Sequence, residues 1–364
     1  MKERLVGLDL LRSIIMFFGP TFHASMLLSG AWGFQYYFTE DTRLDAVLDF
    51  THYFRMELFF LISGFFSSLV ISKKGAESFI ENRMKRIILP TLSSIFLILP
   101  LISFEMLFLF SDKNIDDYLT YKHIWFLVTL SVISLVIMIS PRKATCLMEK
   151  LANILNLSSW FYALILMCVL VYACITFNVV LAKLELDSAN IILSIFQINP
   201  VINYASYYII GMILFFMNKT MSPLWSIISV LSYCIWFIAF QSDIESIAYL
   251  CKISKNACAL LICLGIFSFF KGIRIKESNV VVFLTKIALP FYLCHLPILL
   301  LLSWIWVRLD ISSNPYYFIT FIIPSNCILS MIVGYQMTKY KLIRKAFGLS
   351  EVYVIKRKNA SLVT

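Results

Sequence analysis

Two residues near the start of the chain, Arg12 and His23, stand eleven positions apart. Eleven steps of about 100° return a side chain to nearly the same face of an α-helix, about 16 Å further along its axis. An imidazole changes charge near neutral pH and can take a proton from a hydroxyl. A guanidinium grips phosphate or carboxylate with a planar fork. Asp9, three residues before Arg12, falls on the same face and can pair with it. A second set follows in THYFRMELFFLISGFF, where His52 and Arg55 share a face and Glu57 points nearly opposite, so that Glu57 needs another partner, for which Lys286 is available. The remaining histidines are His123, which opens HIWFL beside Trp125, and His295 in FYLCHLP. Arg83 and Arg86, at i and i+3 in KKGAESFIENRMKRIILP, have the spacing to hold phosphates. Each residue also has a plainer reading. The histidines can be packing or interfacial rings, Arg12 can snorkel to headgroups, Arg55 and Glu57 can serve internal ion pairing, and the basic segment can be a topology signal.

The elements that must position these groups are membrane helices. The 364 residues are 60% hydrophobic and only 14% charged, with a mean hydropathy of +0.84, outside the range of soluble domains. Apolar runs place ten helices near 8–29, 47–72, 87–110, 124–140, 159–180, 200–217, 223–241, 247–270, 280–306 and 316–338. The fold class expected is therefore an all-α polytopic membrane protein, one domain over 1–340, with a basic tail over 341–364 lying on the anionic inner leaflet and assigned no chemistry. The opening MKERLVGLDLLRSIIMFF shares features with a cleaved leader, but its length and Arg12 favour an uncleaved first helix. The nine cysteines form no CxxC or metal-ligand spacing. They read as packing residues, and neither a metal nor a tightly bound cofactor is expected.

With the first segment placed in the cytoplasm, Lys and Arg in the inner segments outnumber those in the outer ones about threefold, which puts both termini inside. The net charge of +10 is thus topology rather than a nucleic-acid footprint. In this frame all four histidines fall in the outer half of the membrane or at its outer edge. Arg55 and Glu57 would each cost about 3 kcal/mol at the bilayer centre, so both must face protein or water.

Arg12 and His23 form an R-x10-H pattern that resembles the membrane-bound acyltransferase 3 family. FRMELFFLISGFF (54–66), RMKRIILP (83–90), HIWFL (123–127) and FYLCHLP (291–297), in that order, are similar to its glucan biosynthesis protein C branch. The resemblance covers helices 1 to 4 and 9, and hydropathy alone covers the middle of the chain. It implies a bacterial inner-membrane O-acyltransferase that draws an acyl group from cytoplasmic acyl-CoA and delivers it to a sugar hydroxyl of a periplasmic glucan or other envelope glycan. The branch implies succinyl-CoA as donor, and related members imply acetyl-CoA. Residue by residue, His23 takes the family's essential histidine role and Arg12 its paired arginine, and His295 also corresponds.

The residues suit that chemistry independently. A sugar hydroxyl needs a base such as His23 as it attacks the thioester. CoA phosphates cannot enter hydrocarbon and would stay near Arg83 and Arg86. His52 and Arg55 could stabilise an oxyanion or orient the acceptor, and Arg55 could also hold a succinyl carboxylate. Two other classes share some of these features. A proton-coupled transporter also places Arg, Glu, Lys and His on several helices, but no inverted repeat is evident. A noncatalytic membrane scaffold would need neither R-x10-H nor polar groups at a common depth.

Overall fold

The computed structural model describes residues 5–28, 42–109, 121–183, 195–217, 221–241 and 244–350. The elements are α1 (Val6–Phe17), α2 (Gly19–Leu28), α3 (Thr42–Lys74), α4 (76–109), α5 (Trp125–Ile139), α6 (Pro141–Leu157), α7 (Trp160–Lys183), α8 (Ile198–Phe216), α9 (Pro223–Phe240), α10 (Glu245–Gly272), α11 (Asn279–Arg308), α12 (Pro315–Lys339) and α13 (Lys341–Ala346). Among the described residues there is no strand, and nine helices are long and apolar enough to cross a membrane. The bent pair α5 and α6 makes a tenth if counted as one span. The chain is a multi-pass membrane protein. The ten expected helices correspond to those nine and α5.

Three boundaries differ from the reading of the sequence. The expected first helix is two, α1 and α2, divided at Phe18, because Pro20 has no N–H to continue the ladder. The expected loop after the second helix, with the third starting near 87, is helical from Ala76 onward. Gly75, at φ +87°, makes the only break there, a backbone conformation that favours glycine. The charged stretch AESFIENR then continues as α4 with Glu77 and Glu81 turned outward and Arg83 turned to the bundle, and π turns at Met84–Ile88 and Ser94–Ile98 interrupt its regularity. The basic segment after α5 is the helix α6, set at 94° to α5. It buries Thr145, Met148, Ala152 and Leu155 on one side and exposes Leu147, Leu151, Ile154 and Leu157, with Arg142, Lys143 and Lys150 also at its surface.

The centre of the bundle is α3 packed on α8. A Cβ at Gly64 would stand 1.9 Å from the Tyr208 carbonyl oxygen, and one at Gly211 1.9 Å from that of Leu61, so the two backbones touch where both helices lack side chains. Ser67 and the Tyr208 hydroxyl share a hydrogen bond of 2.6 Å, and Ser68 donates to the Met212 carbonyl at 3.1 Å. α1 and α2 pack beside α3 and against α11, which pairs with α12. The first residues of the expected tail do not lie apart from the bundle. Ser93 donates to the Ala346 carbonyl, and Phe347 is buried in the core. Residues 351–364 lie outside the described residues.

Candidate active site

The face predicted for Arg12 and His23 exists, and it runs across the break between α1 and α2. Arg12, Met16, Gly19 and His23, at i, i+4, i+7 and i+11, form one stripe. Arg12 is held near Asp9, at 4.0 Å, and lies 5.9 Å from the Phe66 ring. Asp9, Arg12 and Met16 line a cavity of about 540 Å³. The cations around it are Arg12, Arg83, Arg86 and Lys286, and the segment Gly348–Ser350 closes part of its wall. Met16 and Phe59 also line a second, smaller cavity, with Gly19, Arg55, Phe126 and Tyr292. The two cavities share Met16 and Phe59, and the second, of about 10 Å³, has Gly19 in its wall.

Beyond Gly19 stands a cluster of three histidines from three parts of the chain. His23 on α2, His123 ahead of α5 and His295 on α11 are 7%, 1% and 0% exposed. The His295 ring centroid is 5.1 Å from that of His23 and 5.2 Å from that of His123, and His23 and His123 are 6.2 Å apart. The Tyr292 hydroxyl donates to the His123 carbonyl, tying α11 to the start of α5. Among the described residues no grouping of His, Cys, Asp and Glu is arranged as a metal ion would require.

Arg55 is buried beside this cluster. Its Nη1 donates to the Phe18 carbonyl at 3.3 Å, at the break between α1 and α2, and its guanidinium lies 4.4 Å from the Phe22 ring. Its Nε lines up with no hydrogen-bond partner among the described residues. His52 stacks on the same ring, 5.1 Å away, so it does share a face with Arg55. It is exposed, however, and is not one of the three clustered imidazoles.

The basic pair Arg83 and Arg86 divides. Arg83 is committed to the bundle, donating to the Ser63 carbonyl at 3.2 Å and to the Ser67 hydroxyl, with its guanidinium 5.2 Å from Phe79. Arg86 is exposed at the cavity edge. The expected pairing of Glu57 with Lys286 is not formed. Lys286 lines the large cavity, whereas the cations acting on Glu57 are Lys255 and Arg55. A helical wheel gives the direction of a side chain but not which helix lies there.

Reasoning from sequence therefore missed three contributors. From the sequence, His123 reads as interfacial beside Trp125, Lys286 as a partner for Glu57, and Gly19 with Pro20 as a bend in the first helix. Apart from the shared depth of the histidines, nothing local to these residues signals their meeting.

Comparison with known proteins gives the family. The model of the acyltransferase 3 domain family, described as an acyltransferase domain, matches residues 5–335. The chain belongs to this family. That match takes in every clustered histidine and every cavity cation, and it makes the protein a membrane acyltransferase by family. Among individual proteins, glucans biosynthesis protein C of Escherichia coli SMS-3-5 is 29% identical over 144 residues, which is 36% of this chain and 37% of that protein. Its counterpart in Escherichia coli K12 is 28% identical over the same length. The chain thus spans little more than a third of the length of these curated relatives. No solved structure matches it.

Proposed function

We propose that the protein transfers an acyl group from cytoplasmic acyl-CoA to a hydroxyl of a periplasmic glucan or other envelope glycan, across a bacterial inner membrane in which both termini are cytoplasmic. The observation that carries this reading is the stripe from Arg12 through Met16 and Gly19 to His23, whose first three members line the two cavities and whose last packs in the histidine cluster. A nucleotide with several phosphates needs cations and water, so it stays at the mouth with Arg86, Lys286 and Arg12. Arg83, bonded to α3, holds the wall in shape. The pantetheine arm is slender and mostly uncharged, so it can reach Met16 and Phe59, where the smaller cavity must open from about 10 Å³ to admit the thioester.

There His23 acts as general base, taking the proton of the sugar hydroxyl as its oxygen attacks the thioester carbonyl. Arg55 serves the developing oxyanion or, for a succinyl group, its terminal carboxylate, since a buried guanidinium N–H with no partner is costly unless a ligand accepts from it. We take succinyl as the transferred group, as the resemblance to the glucan biosynthesis protein C branch implies, with acetyl second. His52, exposed above Phe22, is assigned to acceptor handling rather than to the chemistry.

The test is direct. Purified protein is given acyl-CoA labelled in the acyl carbon, together with a glucan acceptor, and the products are read by mass spectrometry. Glycans from cells with and without the protein are compared in the same way. Labelled ester on the glycan with release of CoA is the expected result, and the added mass identifies the acyl group. Glycan or metabolite counterflow without thioester consumption would overturn the reading in favour of transport.

A further inference from the structure

His295 is fully buried on α11, and its Nδ1 is bonded to the carbonyl oxygen of Tyr292. A carbonyl oxygen only accepts, so Nδ1 carries the hydrogen, and in the neutral ring Nε2 carries the lone pair. Nε2 has no hydrogen-bond partner among the described residues. It looks onto Gly19, where a Cβ would stand only 3.0 Å away. Gly19 lines the smaller cavity, on the side from which a thioester would arrive. His23 lies one helical turn further along the same stripe and is in ring contact with His295 at 5.1 Å. One imidazole nitrogen, its tautomer set by a backbone carbonyl, therefore stands beside both His23 and Gly19, a residue of the cavity wall.

We propose that Nε2 of His295 delivers the proton to the departing thiol sulfur, finishing the transfer that His23 begins; this rests on the acyl-transfer reading above. The chemistry calls for such a group. The acceptor gives up its proton on one side of the reaction centre, while the sulfur needs one on the other. An alkyl thiol has a pKa of about 8.5 in water, and a thiolate left in a mostly apolar cavity is a poorer leaving group still. The steps balance. The acceptor O–H bond breaks, its proton goes to His23, and the oxygen's electron pair forms the bond to the carbonyl carbon. The tetrahedral adduct then expels sulfur, the C–S bond breaking with its pair on sulfur. The proton passes from His23 to Nε2 of His295 and on to sulfur. The products are an ester and a thiol, and both rings end as they began.

The experiment compares two donors that carry the same acyl group, acyl-CoA and a nitrothiophenyl thioester, whose thiol is far more acidic and leaves without a proton. Each variant's rate is divided by the wild-type rate with the same donor. His295→Asn keeps a donor for the Tyr292 carbonyl but has nothing in the place of Nε2. It is expected to lose about 10²-fold or more with acyl-CoA and to work near the wild-type rate with the aryl thioester, a rescue that also reports a folded protein. His23→Gln is expected to fail with both donors, because the acceptor must still be deprotonated. Equal loss with both donors in a monodisperse His295→Asn protein, or no loss with either, would overturn the proposal. Should that variant fail to fold, His295→Gln, which keeps an amide of similar bulk but no titrating nitrogen, is read with the same two donors. A loss confined to acyl-CoA supports the relay, and any other pattern overturns it. Wild-type protein that transfers from neither thioester would defeat the acyl-transfer reading itself, a result distinct from all of these.

Discussion

Reversing the charge of Arg86 should weaken the donor and spare everything else. Arg86 is exposed at the edge of the large cavity. A guanidinium and a phosphate oxygen about 4 Å apart attract by about 1 kcal/mol in bulk water and about 4 kcal/mol at the effective dielectric near a protein surface. Exposure puts Arg86 at the lower end, so removing its charge forfeits about 1 kcal/mol and reversing it about twice that, roughly 30-fold in donor affinity. The assay is steady-state transfer with purified Arg86→Glu, varying acyl-CoA at saturating glycan and then the reverse, at several ionic strengths. The donor KM should rise by that factor while kcat and the acceptor KM stay near wild type. Added salt should raise the donor KM of the wild type more steeply than that of the variant, because an exposed attraction is screened over about 10 Å at 0.1 M. Arg83→Glu supplies the contrast. It removes the donors to the Ser63 carbonyl and Ser67, and should lower the melting temperature. An unchanged donor KM in folded Arg86→Glu would refute the placement of the nucleotide in this cavity.

Further outcomes are expected. His23→Gln should cut kcat by about 10²- to 10⁴-fold with a normal elution profile, whereas a packing histidine would lower abundance and activity together. Gly64→Ala should destabilise the protein by about 1–3 kcal/mol through overpacking, because its Cβ would meet the Tyr208 carbonyl at 1.9 Å; thermal unfolding in detergent reads this. Met16→Trp should leave acyl-CoA binding, measured by equilibrium dialysis, near wild type while turnover falls, since Met16 is shared by both cavities. Reporters fused at 145 and 345 should register cytoplasm, and one at 312 periplasm. A periplasmic reporter active at 145 would reverse the proposed orientation.

How much of this was legible depends on whether the signal is local. Apolar runs are, so the ten helices and the R-x10-H stripe could be placed from the sequence. Charge density misled at 76–90, since a helix whose polar residues face outward tolerates charge as readily as a loop does. The same applies to α6, whose apolar positions at Leu147, Leu151, Ile154 and Leu157 recur at helical spacing among its lysines. The histidines were visible as a shared depth. Their contact was not, because depth leaves rotation about each helix axis open, and the same ambiguity sent Lys286 to Glu57. Gly19 was the least legible residue. Its meaning is the space it leaves before His295, which exists only once α11 is packed against α2.

The right-angled turn from α5 into α6 fixes more than a chain direction. Where α5 crosses the membrane, a helix at 94° to it lies nearly along the membrane plane. Its exposed leucines and isoleucine favour the acyl boundary and its lysines and arginine the headgroups. Such a helix behaves as a float, setting the height at which the whole bundle rides. When the bilayer thickens or thins, the long rods α4, α11 and α12 can adjust by tilting. The depth of the histidines below the floating helix stays constant, because α3 and α8 hold both to one frame. The reach required of a donor is thereby made independent of the lipid around it.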